Sequence, residues 1–435
     1  MKRTILSTAI ALAFSFSSGA FAANTATVTQ NGDSNIAQVI QGPLVTGATA
    51  VINETGSGND ADITQINCGT NCGTATVTGS GTAGYMGVVQ NNAGGSTATF
   101  VQDANTNGDV ATINQTAATN SKAEVDQTNL LLDPSEGTNV ALINQLTGDS
   151  LTALIKQDSS LNNLATINQT GSLHNATITQ TSSMGDGVLS GATITQDGVS
   201  HIASINQDSV WFATATTNQT GSANNASISQ LNGSDYVTAA ITQSGTGQIA
   251  GIVQNNSQYS DVAVTQSGSN QMATVNQLNG SDYATVAINQ GGAGHIANVL
   301  QDNSRYASAT ITQSGSTNTA SISQTAMSDS AIANILQNGT GNNATITQAN
   351  AMGSNADISQ VGDLNVATIN QSAAYNLAKV DQLGSSLSAT ITQSGVGMSS
   401  VLPNTATILQ SGSFQVATIS QGGGAGNSAT ITQGR

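Results

Sequence analysis

The chain has 435 residues, of which 7% are charged and 3% aromatic, and its 23 acidic against 7 basic residues give a net charge of −16. That balance excludes a nucleic-acid binder, which needs basic patches, and disfavours anionic membrane surfaces. A composition dominated by Ala, Thr, Ser, Asn, Gln, Gly and Ile leaves two classes, a disordered low-complexity chain or a repeat fold with a thin core and polar ladders.

Residues 1–22 read as a secretory signal peptide. Lys2 and Arg3 form a positive start, an apolar stretch runs from Ile5 to Phe16, and Ala20-Phe21-Ala22 supplies a small-x-small cleavage pattern. The apolar run is too short to span a membrane, and no later run is long enough. The mature chain is expected to begin near Ala23, outside the cytoplasm.

From Ala26 to Gln433 the pattern Ala-x-Ile/Val-x-Gln recurs 34 times. The last position is Gln in 32 copies, with Glu54 and Gly79 the exceptions. The branched position departs only at Phe100 and Thr217, and Ala gives way only to Met86, Val262 and Val286. Period-2 spacing kept this faithfully predicts short strands and excludes a disordered tract. Side chains alternate along a strand, so Ala, Ile/Val and Gln share the inward face and Thr, Ser and Asn the outward one.

Eleven successive strand pairs, from Gln169/Gln180 to Gln410/Gln421, are each separated by 11 residues, while the other arc varies from 11 to 17. The short arc usually reads Gln-x-Gly-x-x-Asn-x-Ala, with Gly allowing the tight turn. One short and one variable arc per two strands defines a coil of about 23 residues. A short arc also suits an antiparallel hairpin, but a solenoid stacks Gln over Gln and Ile over Ile, about 4.8 Å apart. The expected fold is all-β: a two-sheet β-solenoid (β-helix) of about 17 coils, two short strands per coil, with cross-β stacking along a rod of roughly 80 Å. It is expected to form a single solenoid over 23–435, with an irregular stretch at about 91–157. The 11-residue pairs at Gln30/Gln41, Glu54/Gln65 and Gly79/Gln90 fall out of step with those after Gln169.

The half-repeat Gln-x-Gly-x-x-Asn-x-Ala-x-Ile/Val-x-Gln resembles the curlin repeat of curli fibre subunits. Residues Gln30-Asn31-Gly32-Asp33-Ser34-Asn35-Ile36-Ala37-Gln38-Val39-Ile40-Gln41 show it in full, and the resemblance covers roughly 24–435. It implies a bacterial cell-surface subunit that polymerises end to end into extracellular functional amyloid for biofilm and adhesion. It also implies partners: further copies of itself, a nucleator subunit and an outer-membrane secretion channel.

The ladder residues singled out are Gln30, Asn35, Gln41, Gln169, His174, Gln180, Gln219, Asn224, Gln230, Gln313, Asn318 and Gln324. His174, His201 and His295 each lie six residues before a strand-final Gln, the slot held by Asn35, Asn224 and Asn318 in other repeats. They read as polar-ladder substitutes rather than metal ligands or bases. Cys68 and Cys72 share one loop, where an oxidising compartment favours a local disulfide. Trp211, Tyr236, Tyr259, Tyr283 and Tyr306 fall in the variable arcs of successive coils and predict an aromatic column, serving either the arcs or lateral contact; Tyr375 recurs at the tyrosine offset.

The scattered acidic residues read as solubility and gatekeeping groups, and no cofactor or metal is expected. Catalytic motifs with structural support are absent, so the chain reads as a structural protein rather than an enzyme. A curli-type nucleator is the neighbouring alternative, with an ice-binding or adhesive solenoid further off. Ice binding needs an unbroken Thr-x-Thr array, and Lys379/Asp381, Thr407/Leu409 and Gly251/Val253 interrupt it. A near-regular last strand, Ala429 to Gln433, followed only by Gly434-Arg435, leads to the expectation of open, templating ends.

Overall fold

In the computed structural model of the chain, the described residues are 23–42, 44–70, 73–80, 84–102, 108–128, 138–159, 162–182, 190–399 and 401–434. Residues 1–22, where the signal peptide is expected, lie outside them. Two compact units divide the chain between Phe212 and Ala213. Each is built only from strands and arcs among the described residues.

The N-terminal unit holds two parallel sheets of eight and seven strands, and the C-terminal unit holds two of nine and ten. The chain alternates between the sheets strand by strand, so each strand pairs with the strand two places away. Ser308–Ser316, for example, pairs in parallel with Thr285–Ala293 and with Ile332–Thr340. This is a β-solenoid in each unit; hairpin pairing would be antiparallel. A two-residue pairing, Val45–Thr46 with Gly69–Thr70, is added in one arc.

Register follows the repeat. Ala stacks on Ala, Ile on Ile and Gln on Gln, as in Ala297↔Ala320, Val299↔Ile322 and Gln301↔Gln324. The inward positions of these strands are buried and the outward ones are not. Each buried Ile contributes about 2 kcal/mol by leaving water, and a core this thin relies on repetition of that small gain.

The early phase shift has a structural basis. Through residues 73–128 the sheets keep their register, with Gly79↔Gln102, Gln90↔Gln115 and Gln102↔Gln127 aligned. What changes is the edge that carries the short glycine arc. Before Gln90 it joins the first sheet to the second; after Gln169 it joins the second to the first. The glycines need this geometry. At Gly245 φ is +133° and an added Cβ would lie 1.9 Å from the Gly268 carbonyl oxygen, so no side chain fits between stacked arcs.

Candidate functional site

The strand-final glutamines form columns of side-chain hydrogen bonds inside each unit. In the C-terminal unit one column runs Gln230, Gln254, Gln277, Gln301, Gln324, with each Nε2 donating to the next Oε1 at 2.8–3.0 Å. The other sheet repeats this from Gln219 through Gln243, Gln266, Gln290 and Gln313 to Gln337. In the N-terminal unit Gln41 donates to Gln65 at 3.0 Å, Gln169 to Gln196 at 3.0 Å and Gln180 to Gln207 at 2.8 Å. In all of these bonds the earlier residue donates and the later one accepts. Nε2 also donates across to the opposite sheet, as Gln230 does to Thr214 O at 3.1 Å and Gln313 to Ile296 O at 3.0 Å. A buried primary amide is thus used as a two-sided clip, and its hydrogen bonds offset its burial.

A second column fills the arc slot. Asn318 Nδ2 donates to Ser314 O at 2.8 Å, and its Oδ1 accepts from Asn342 N at 2.9 Å. Asn224 does the same with Thr220 O and Gln248 N, and Asn35 Oδ1 accepts from Asn59 N. His174 and His295 occupy this slot with matching chemistry. The His174 Nε2 lies 2.9 Å from Thr170 O, and its Nδ1 accepts from His201 N at 3.1 Å. His295 pairs with Gly291 O and Asn318 N. The backbone N–H donates to Nδ1, so the ring is neutral with its proton on Nε2. Burial holds both rings below the ordinary histidine range, against the pull of the accepting carbonyls. The His174 and His201 rings stack at 5.0 Å.

Tyr236, Tyr259, Tyr283 and Tyr306 stack in the C-terminal unit, with successive ring centroids 4.9, 4.8 and 4.9 Å apart. Trp211 belongs to the N-terminal unit and is 48% exposed. In its arc Phe212 takes the left-handed conformation, φ +55°, that the tyrosines take in theirs. Cys68 packs with Val45 and Ala48, and Cys72 lies outside the described residues. No group of three or more His, Cys, Asp or Glu side chains is placed to hold a metal among the described residues.

One cluster escapes reading by sequence. In the first column Gln30 Nε2 donates to Glu54 Oε2 at 2.6 Å, and the next rung, Gly79, has no side chain. The gap is filled from the other sheet: Met86 Cε lies 2.5 Å from where a Gly79 Cβ would sit. Met86 stands in an Ala position and is fully buried. Glu54 Oε1 and Gln102 Oε1, on the rungs either side of Gly79, have no hydrogen-bond partner. Burial pushes the Glu54 carboxyl up to about 7; Asp60 and Asp62 add to the rise and the Gln30 hydrogen bond opposes it. Asp109 holds an arc slot taken elsewhere by Asn, and burial raises its carboxyl to about 6 against hydrogen bonds from Asn139. The three exceptions Glu54, Gly79 and Met86 are visible singly; that they form one packing solution needs the sheet pairing.

The outermost strands expose what interior strands bury. Ala37 and Val39 in Ile36–Gln41, and Ala429 and Ile431 in Ser428–Gln433, are half-exposed, whereas the equivalent Ala309 and Ile311 are buried. The family model described as "Curlin associated repeat" matches residues 329–362, 362–395 and 404–434. No curated protein matches the chain. Three matched repeats near the C-terminal end support a curlin-repeat protein, and the strands before them carry the same Ala, Ile/Val and Gln face.

Proposed function

We propose that the chain is a structural subunit, secreted to the bacterial surface, that assembles end to end into extracellular curli-type amyloid fibres for matrix and adhesion. The observation that carries this reading is the one-way amide column. Gln421 Nε2 and Gln433 Nε2 each donate to a carbonyl, Thr405 O at 2.8 Å and Val416 O at 3.0 Å. Interior glutamines spend their other N–H on the next Oε1. In the N-terminal unit Gln30 and Gln41 stand at the acceptor end of their columns. A second copy stacked in register sets Gln421 over Gln30 and Gln433 over Gln41, donor to acceptor, and covers Ala429 and Ile431 with Ala37 and Val39. Self-assembly then repeats the contact already made between successive turns. A nucleator subunit and an outer-membrane channel complete the export and assembly system that this function requires.

The test is aggregation of residues 23–435 followed by thioflavin T fluorescence and fibre diffraction. Fibres with reflections at about 4.7 and about 10 Å support the reading. A folded β-protein that stays monomeric at high concentration overturns it.

A further inference from the structure

The four stacked tyrosines are placed for chemistry as well as for packing. All four adopt left-handed backbone conformations, φ +54 to +57°, so each ring leaves its arc in the same direction. Backbone bonds between successive arcs hold that alignment: Tyr259 N donates to Asp235 O at 2.9 Å, Tyr283 N to Gln258 O at 2.8 Å and Tyr306 N to Asp282 O at 2.8 Å. Neighbouring ring planes are parallel within 5 to 11°. The four residues are 43 to 53% exposed while their ring faces stack on one another, so the seam is reachable from solvent. Tyr259 and Tyr283, stacked on both sides, have no free ring face on which a sugar could stack. The cysteines of the chain lie at 68 and 72, so the C-terminal unit has no thiol to compete for oxidation.

We infer that Tyr236, Tyr259, Tyr283 and Tyr306 form an oxidative cross-linking seam, in which adjacent tyrosines couple to dityrosine and staple successive turns of one chain. The co-reactant is a peroxide acting through a haem peroxidase. Each of two neighbouring rings loses one electron and its phenolic proton. The two phenoxyl radicals join through the ring carbons ortho to their oxygens, forming one C–C bond. Each ortho hydrogen then leaves as a proton and each phenol oxygen regains one, restoring both aromatic rings. The net loss of two electrons and two protons converts one hydrogen peroxide to two waters. The stacked pairs are 23, 24 and 23 residues apart, so each bond closes a loop of one turn. Pre-stacking supplies the proximity that radical coupling between mobile side chains lacks. This inference does not rest on fibre formation, because both partners belong to one chain.

The test treats the full folded chain with peroxidase and hydrogen peroxide. Products are separated by size under denaturing conditions, and dityrosine peptides from the monomer-sized band are mapped by mass spectrometry. The expected products are Tyr236–Tyr259, Tyr259–Tyr283 and Tyr283–Tyr306. The Y259F/Y283F variant keeps the stacked rings but leaves two tyrosines three spacings apart, so monomer-band dityrosine falls about tenfold or more. The variant's circular dichroism and unfolding midpoint check that the fold is retained. Absence of dityrosine, products confined to larger species, products mapping to Tyr85 or Tyr375, or a yield unchanged in the double variant overturns the inference.

Discussion

The first turns of the N-terminal unit and the C-terminal unit solve one problem with different residues. In the C-terminal unit the amide columns run without a missing rung from Gln230 to Gln421 and from Gln219 to Gln433. In the N-terminal unit a carboxyl, a bare backbone and a methionine occupy one stretch of column. A carboxylate accepts but does not donate, so a column whose bonds all point one way stops at Glu54. An amide rung works only because it does both, and shape alone does not replace it.

That contrast can be broken by moving the defect. Gln254→Glu puts a carboxyl into an intact column, where Gln254 now donates to Gln277, Ser260 O and Thr238 O. Losing those donors and burying a charge is expected to cost about 4 kcal/mol at neutral pH, read as a lower urea midpoint.

The reverse change sharpens the comparison. Glu54 in the folded chain titrates near 7 instead of 4.5, so its raised value stabilises the fold fully below pH 4.5, and that stability is lost as pH rises through 7. The difference corresponds to about 3 kcal/mol. Asp109 adds to the same loss as pH rises through about 6. Amide hydrogen exchange around Thr49–Thr55 is expected to speed up between pH 5 and 8 beyond its intrinsic pH dependence. Glu54→Gln removes that excess; an unchanged pH profile in the variant refutes the assignment.

The Gly79–Met86 exchange predicts a coupling of about 2 kcal/mol. Met86→Ala leaves a void, and Gly79→Gln meets the Met86 methyl; the double variant restores the consensus rung and recovers much of either loss. Additive costs in denaturant unfolding show that the two sites are independent.

His295 has the opposite sign from Glu54. Its folded value lies below the ordinary 6.5, so the stability it gives is present above pH 6.5 and fades as pH falls below it. The His295→Asn variant keeps the slot's donor and acceptor and is expected to lose less stability than the parent as pH falls below 6.5, measured by exchange at Asn318 and its neighbours. The smallest effect is expected at Thr217, whose buried hydroxyl has no partner. Thr217→Val is expected to gain about 1 kcal/mol in the C-terminal unit's thermal unfolding.

The strands, their inward faces and their register were legible in the sequence because a period of two and a repeat of about 23 residues leave one way to stack like on like. The slot shared by His174 and Asn318 was legible from its offset to the next Gln. The filling of the Gly79 gap was not, because Met86 reaches it across the coil and only the pairing of strands shows what it touches. The early phase shift was visible as spacing, but not its meaning: the short arc changes edge while Gly79↔Gln102 and Gln90↔Gln115 stay in register. Glu54 reads as a conservative exchange for Gln, and only burial turns it into a titrating group.

The amide columns have an electrical consequence. A primary amide is a dipole, and stacking amides head to tail with every Nε2 pointing towards later residues adds those dipoles, as peptide groups add along a helix. Negative partial charge gathers where Oε1 leads a column, positive where Nε2 ends it, and each bond polarises the next. Glu54 accepts at the positive end of one short column, from Gln30 Nε2, and in each unit the sequence direction fixes the sign of the field along the stack.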